Sequence, residues 1–203
     1  MYSPPSFKVD DLATLHAFMR RHSFATIVTH DGEIPHATHM PVLLDATGAT
    51  LVSHMARANP QWQHFADGHE VLVIFTGPHA YVSPAWYATA PAVPTWNYTA
   101  VHAYGRPRIV TDHECFAKML HDLIERYESG RENRWRGELP VDFRDKLMRG
   151  IVGIEIEITR LEGKFKLSQN RPEDAPGVIK ALSASTDPMD REVSELMQAL
   201  VKF

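Results

Sequence analysis

Residues 51–62 read LVSHMARANPQW, and within them a strand pattern gives way to the start of a helix. Leu51 and Val52 carry the strand. Asn59 can cap a helix with its side-chain oxygen, and Pro60 suits the first helical position because it has no N–H to lose. The junction therefore offers free backbone donors. Arg57 stands two residues before the cap, with His54 just upstream. A cation beside a helix N-terminus is an arrangement that holds phosphate groups. The plainer alternative is an ordinary capped junction with an unrelated arginine, since strand-to-helix links of this length are common.

Outward from this stretch the chain reads as short strands. Phe24 to His30 alternates, Asp31-Gly32 is a hairpin signal, and Glu33 to Leu44 resumes as a second strand interrupted by Pro41. Thr50 to His54 forms the third strand. After a helix over 59–67, Glu70 to Thr76 is an apolar, buried fourth. Gly77-Pro78 punctuates the chain, Ala80 to Ser83 begins a strand that Pro84 ends, and Thr99 to Val110 adds a sixth with Gly105 as a candidate bulge. Ile151 to Thr159 sets Ile154, Ile156 and Ile158 on one face against Glu155 and Glu157 on the other, a half-buried strand that would close a barrel. Short links imply antiparallel order.

Helices surround these strands. One follows a cap at Asp10 or Asp11, with Leu12, Leu15 and Met19 on its apolar stripe. A capping box from Thr111 to Glu114 opens another that buries Phe116, Met119, Leu120 and Leu123. Pro140 starts a short helix to Met148, and two more run from Pro176 to Ser183 and from Pro188 to Val201, the last capped by Asp187. The pattern predicts a mainly β fold with α additions, a β-rich α+β chain built as a small closed or split antiparallel β-barrel with peripheral and C-terminal helices. Residues 1–203 are expected to form one domain, with a helical part from about residue 173.

Composition narrows the classes. The 203 residues are 44% hydrophobic and 23% charged, the make-up of an ordinary globular protein. A formal charge of −4 supplies no chain-wide attraction for nucleic acid or anionic membranes. A lone cysteine, Cys115, rules out an internal disulfide, and no signal-peptide pattern opens the chain, so a cytoplasmic location is expected. No apolar run approaches the ~20 residues of a membrane helix. The 12 histidines invite a metal. However, His36 and His39 would face opposite sides of a strand, and no Cys-x-x-Cys or His-Glu-x-x-His occurs, so no metal site is expected.

Two further segments carry chemistry. Trp86, Tyr87, Trp96 and Tyr98 gather around an Ala/Pro loop from Ala88 to Val93, as core packing or as the wall of a flat ligand site. Residues 161–172, LEGKFKLSQNRP, place Lys164, Lys166, Ser168, Gln169, Asn170 and Arg171 in one short extended piece, either a polar surface turn or a hold for a phosphate or a polar ring edge.

The N-terminal MYSPPSF, ATHMPVLL (37–44), SHMARANPQW (53–62), FTGPHAYVSPAWY (75–87), VPTWNYTAVHAYG (93–105) and GKFKLSQNR (163–171) together resemble the PaiB family of FMN-binding negative transcriptional regulators, over nearly the whole chain. That resemblance implies an FMN-binding split barrel related to the pyridoxamine-phosphate-oxidase group, and a homodimer with FMN in clefts at the subunit interface. It implies a phosphate site with Thr38 and His39 on the strand and Arg57 and Asn59 at the turn. The wider group commonly has arginine at the strand and lysine at the turn. Histidine and asparagine here leave the phosphate less neutralised unless Lys166 or Arg171 completes the site. Residue chemistry and the resemblance together assign Trp86 or Trp96 to the isoalloxazine face and Ser83 and Asn97 to its polar edge, with Ser168 and Gln169 as further donors.

Three functions compete. The first is an FMN-binding homodimer, in one version a flavin-dependent oxidoreductase. The second is a transcriptional regulator, for which an acidic chain with no basic recognition helix favours an indirect route over direct DNA binding. The third is haem binding or degradation, with His54, His64, His102 or His121 as axial ligand.

Overall fold

A computed structural model describes residues 1–136 and 139–201. Among the described residues there are eight strands: β1 (Lys8–Val9), β2 (Phe24–His30), β3 (Pro35–Pro41), β4 (Leu43–Leu44), β5 (Thr50–Ala56), β6 (Val71–Val82), β7 (Thr95–Val110) and β8 (Ile151–Lys166). Five α-helices accompany them: α1 (Leu12–Arg21), α2 (His113–Glu128), α3 (Val141–Arg149), α4 (Ala175–Ser183) and α5 (Pro188–Val201). The sheet order is β3-β2-β6-β7-β8-β5-β4, with β1 added on β8. The described pairings of β1, β2, β3, β4 and β5 are antiparallel, as the short links require. None of the described helices is long and apolar enough to cross a membrane.

The chain divides into two compact units, and β6, β7 and β8 contribute to both. The first comprises Met1–Phe18, Phe75–His102 and Glu162–Phe203. Its core joins Ala80 and Val82 of β6 to Leu167 and to Val178, Leu182, Val193 and Met197 of α4 and α5, so the C-terminal helices are an integral layer of this unit. The second comprises Met19–Ile74 and Ala103–Leu161. There β2 pairs with β3 from Phe24↔Pro41 to His30↔Pro35, and β5 pairs with β8 from Thr50↔Glu157 to Ala56↔Ile151. The isoleucine alternation resolves as expected: Ile154 and Ile156 are fully buried and Glu157 is exposed.

Several boundaries differ from the sequence expectation, each for a physical reason. Gly77-Pro78 does not break β6, which runs unbroken to Val82. A Cβ at residue 77 would overlap Phe18 and the Thr99 hydroxyl, and the Pro78 carbonyl accepts from Thr99 at 3.3 Å, so this Gly-Pro pair serves close packing. Gly105 likewise admits the Glu157 carbonyl of β8 where a Cβ would collide with it. The 60–67 segment is a 3-10 helix, Pro60–Asp67, ended by Gly68 in the left-handed conformation at φ 70°. Helix α2 is capped by Asp112, which accepts from the Cys115 amide at 2.8 Å, so the cap falls one residue later than the Thr111 box predicts. Strand β8 extends to Lys166, and only then does the chain turn, with Ser168 at φ 65°.

Candidate functional site

In the second unit, the junction of β5 with the 3-10 helix forms as its sequence dictates. Asn59 accepts from the Gln61 amide at 3.0 Å, which satisfies one of the donors a helix start leaves open. The Asn59 amide donates to the Thr38 hydroxyl of β3 at 2.9 Å, so two of the expected phosphate residues do meet. What they meet around is Gln61. This side chain is 3% exposed; its oxygen takes the Thr38 proton, and its nitrogen faces the Ile27 carbonyl at 3.2 Å, the Thr29 hydroxyl at 3.0 Å and the His36 carbonyl at 3.1 Å. Thr38 and Asn59 are thereby tied into a buried lock between β2, β3 and the helix. His39 stands apart from them, paired through Nδ1 with Thr26 at 2.8 Å.

Arg57 is engaged elsewhere. Its Nε donates to the Arg149 carbonyl at 2.9 Å and its Nη2 to the Ile151 carbonyl at 3.1 Å, while its guanidinium carbon lies 5.9 Å from the centre of the Trp62 ring. The Trp62 indole in turn donates to the Arg57 carbonyl at 3.0 Å. Nη1 takes no part in these bonds, and Arg57 also lines a cleft. That cleft, about 510 Å³, is lined by Arg57, Thr111, Asp112, His113, Asp145 and Arg149 together with apolar residues from Val110 to Gly153. The size lies within the ~300–1,000 Å³ of small-molecule sites. Arg57, Arg149 and the Thr111 hydroxyl make a donor set that fits a phosphate, while His113 Nε2 lies 3.6 Å from Asp145 Oδ1. Asp145 is already offset by Arg144 at 3.2 Å, and Asp112 is spent on the helix cap.

A second cavity of the same unit, about 370 Å³, has Leu120, Leu123, Ile124, Leu147 and Met148 in its apolar wall and His54, His121, Arg136 and Arg144 at its polar points. His54 Nδ1 is buried with no hydrogen-bond partner among the described residues. Burial holds the His54 pKa below the ordinary histidine value, so the ring is neutral at pH 7.

In the first unit, the expected site residues fall into three settings. Asn97 is fully buried and donates to the Ser168 hydroxyl at 3.0 Å and to Met197 Sδ at 3.4 Å, so Asn97 and Ser168 are brought together as a polar tie between β7, the turn after β8 and α5. Lys166 donates to the Thr95 hydroxyl at 2.7 Å and to the Trp96 carbonyl, and Gln169 closes its own turn through the Leu167 amide and the Phe165 carbonyl. Burial, and then the neighbouring Lys164, lower the Lys166 pKa. Ser83 caps the 3-10 helix Pro84–Trp86, and Trp86 packs on the α4–α5 core. Trp96, in contrast, is 53% exposed, with Tyr81 edge-on at 6.0 Å and His79 at 6.2 Å. Of the two tryptophans, Trp96 is the exposed one and Trp86 is half-buried.

Two residues central to this geometry carried no role in the sequence reading. Gln61 lay inside the PQW motif, but nothing local marks a glutamine as a hub until β2 and β3 are folded against it. Asp174 is the other: 2% exposed, it accepts the Ala88 and Thr89 amides, both at 3.0 Å, the Thr89 hydroxyl, and Arg171 at 3.2 Å. It fixes the Ala/Pro loop against the start of α4.

The antiparallel fold is that of a split barrel, and one cleft of its second unit is lined by arginines and the start of α2. The chain matches, over residues 1–160, the family described as "Putative FMN-binding domain", and it belongs to that family, with FMN as its cofactor. It is 38% identical over 207 residues, covering all of this chain and 99% of the other, to the protein named protease synthase and sporulation protein PAI 2 of Bacillus subtilis, which places it in the PaiB group. Among solved structures, the flavocytochrome Anf3 from Azotobacter vinelandii superposes with a TM-score of 0.65 at 16% identity, over 78% of this chain and 69% of that one. A FAD and heme binding protein from Mycobacterium smegmatis gives 0.62 at 17% identity, over 78% and 73%. At such identities the likeness is one of fold, a split barrel.

Proposed function

We propose that the protein is a PaiB-type FMN-binding homodimer in which the flavin phosphate is held at the Arg57 cleft, and that any effect on transcription is indirect. The observation that carries this reading is Arg57 itself: two of its nitrogens are fixed on backbone carbonyls, its Nη1 takes no part in those bonds, and the residue lines a cleft together with Arg149 and Thr111. Bound flavin supplies hydride and single-electron transfer. The residues of this chain do the rest. Arg57, Arg149 and the Thr111 hydroxyl bind and orient the phosphate. The indirect route follows from a net charge of −4, which disfavours contact with a phosphate backbone.

The test is an FMN titration of the apo-protein by fluorescence quenching, with native mass measured in parallel. Loss of one charge-assisted bond is worth ~1.5–3 kcal/mol, so Arg57→Ala should raise the Kd about 10- to 150-fold. Arg57→Lys, which keeps the charge but loses the fork, should fall between. A wild-type protein that takes up no FMN, or an Arg57→Ala affinity equal to wild type with the fold intact, would remove the proposal. A monomeric native mass would remove the dimer.

A haem reading is favoured by one observation, an unpartnered buried ring nitrogen on His54, a residue that lines the second cavity with His121. A Soret band that survives gel filtration in the wild type and is lost in His54→Ala would establish it. Its absence would leave the flavin alone.

A further inference from the structure

Away from both cavities, three side chains from three elements converge. Asp31 sits in the β2–β3 turn, His36 on β3 and His64 in the 3-10 helix, and one ligand atom from each lies within 4.8 Å of the others. We propose that Asp31, His36 and His64 bind a divalent d-block cation of the zinc or cobalt type, with a coordination position left open to water. The proposal stands on other residues than the FMN reading and does not depend on it.

Each ligand is already oriented. Asp31 Oδ1 accepts the Glu33 and Ile34 amides, both at 2.8 Å, and this turns Oδ2 toward His36 Nε2 at 2.7 Å. His64 is held through Nδ1 by the Thr29 hydroxyl at 2.9 Å, which leaves Nε2 as its free nitrogen. The His36 and His64 rings meet edge-on with centroids 4.8 Å apart. Behind them, Gln61 ties Thr29 and the His36 carbonyl together, so the outer shell is a buried network and not loose solvent. Two imidazoles and a carboxylate are a donor set for zinc and its neighbours, and three protein ligands leave a fourth position for water, as in sites that exchange ligands. The cation would take the place now filled by the proton between His36 and Asp31. An Asp31–His36 pair closing a hairpin explains two of these residues but not why His64 is aimed at them. The signal was invisible in sequence because His64 is 28 residues from His36 and reaches it only through the helix that Asn59 and Pro60 start.

The experiment uses the untagged full chain titrated with Co²⁺, read by its visible absorption, and with Zn²⁺ in competition. One Co²⁺ per chain with the intense bands of a low-coordinate site is expected. His64→Gln, which keeps a hydrogen-bonding group for Thr29, and Asp31→Asn should each weaken Zn²⁺ by at least about tenfold, by the scale set for metal-site perturbations. Thr29→Val should give a smaller loss. Co²⁺ binding that is absent, or that survives both His64→Gln and Asp31→Asn within twofold while thermal melting shows them folded, overturns the proposal and assigns any uptake to the other histidines.

Discussion

Replacing Gln61 with leucine is the sharpest probe of the scaffold beneath the candidate sites. Leucine is close to glutamine in volume, so the cavity contribution is small and the loss is one of hydrogen bonds. Four partners are affected: the Thr38 and Thr29 hydroxyls and the Ile27 and His36 carbonyls. Thr38 still accepts from Asn59 but has nowhere to put its own proton, whereas Thr29 retains His64. A stranded buried hydroxyl costs ~1–3 kcal/mol, and the carbonyls, each with a second lone pair, cost less, so the total should be about 2–4 kcal/mol. Urea unfolding monitored by tryptophan fluorescence reads this directly. Thr38→Val in the Gln61→Leu background removes the stranded group, so the double variant should recover roughly 1 kcal/mol relative to the sum of the singles. A Gln61→Leu loss below about 0.5 kcal/mol, the usual size for an uninvolved surface position, would refute the hub.

Other perturbations test other parts. Asp174 is subject to burial that raises its pKa, but the Thr89 side chain and amide, Arg171 and the Ala88 amide together hold the carboxyl below the ordinary aspartate value of 3.8. A depressed folded pKa adds stability above the unfolded value, lost as pH falls below it, so an acid titration should show wild type losing stability below about pH 4 and Asp174→Asn losing less over that window. A Cβ on Gly177 would overlap the Trp86 carbonyl oxygen, so Gly177→Ala should destabilise by ~1–3 kcal/mol in a thermal melt and alter Trp86 emission. For His54, burial lowers the folded pKa, so protonation favours unfolding and the wild type should weaken as pH drops below the ordinary histidine value of 6.5. His54→Leu should abolish that slope and, by removing an unpartnered buried nitrogen, leave stability at pH 7 equal or higher.

What sequence reveals about such a chain follows from the range over which each signal acts. Strand alternation at Ile154 and Ile156 and the caps at Asn59 and Asp187 are written within a few residues and form as expected. Breaks assigned to Gly77-Pro78 failed because the same residues serve two ends, a turn or a close approach. Only the partner, Phe18 with Thr99, decides which. The polar segment 163–171 is the same problem in chemistry. Its lysine, serine and glutamine can all hold a phosphate, yet a turn at the end of a strand has carbonyls and amides of its own to satisfy, and Lys166 and Gln169 reach those first. Arg57 differs because two carbonyls cannot use up five donors. A guanidinium that braces the α3–β8 turn still has an edge to offer, so structure and ligand need not compete for it. Arg57 thus keeps three of its five donors after the backbone is satisfied, against one of three for Lys166, and this larger surplus is why it is the residue proposed for the phosphate.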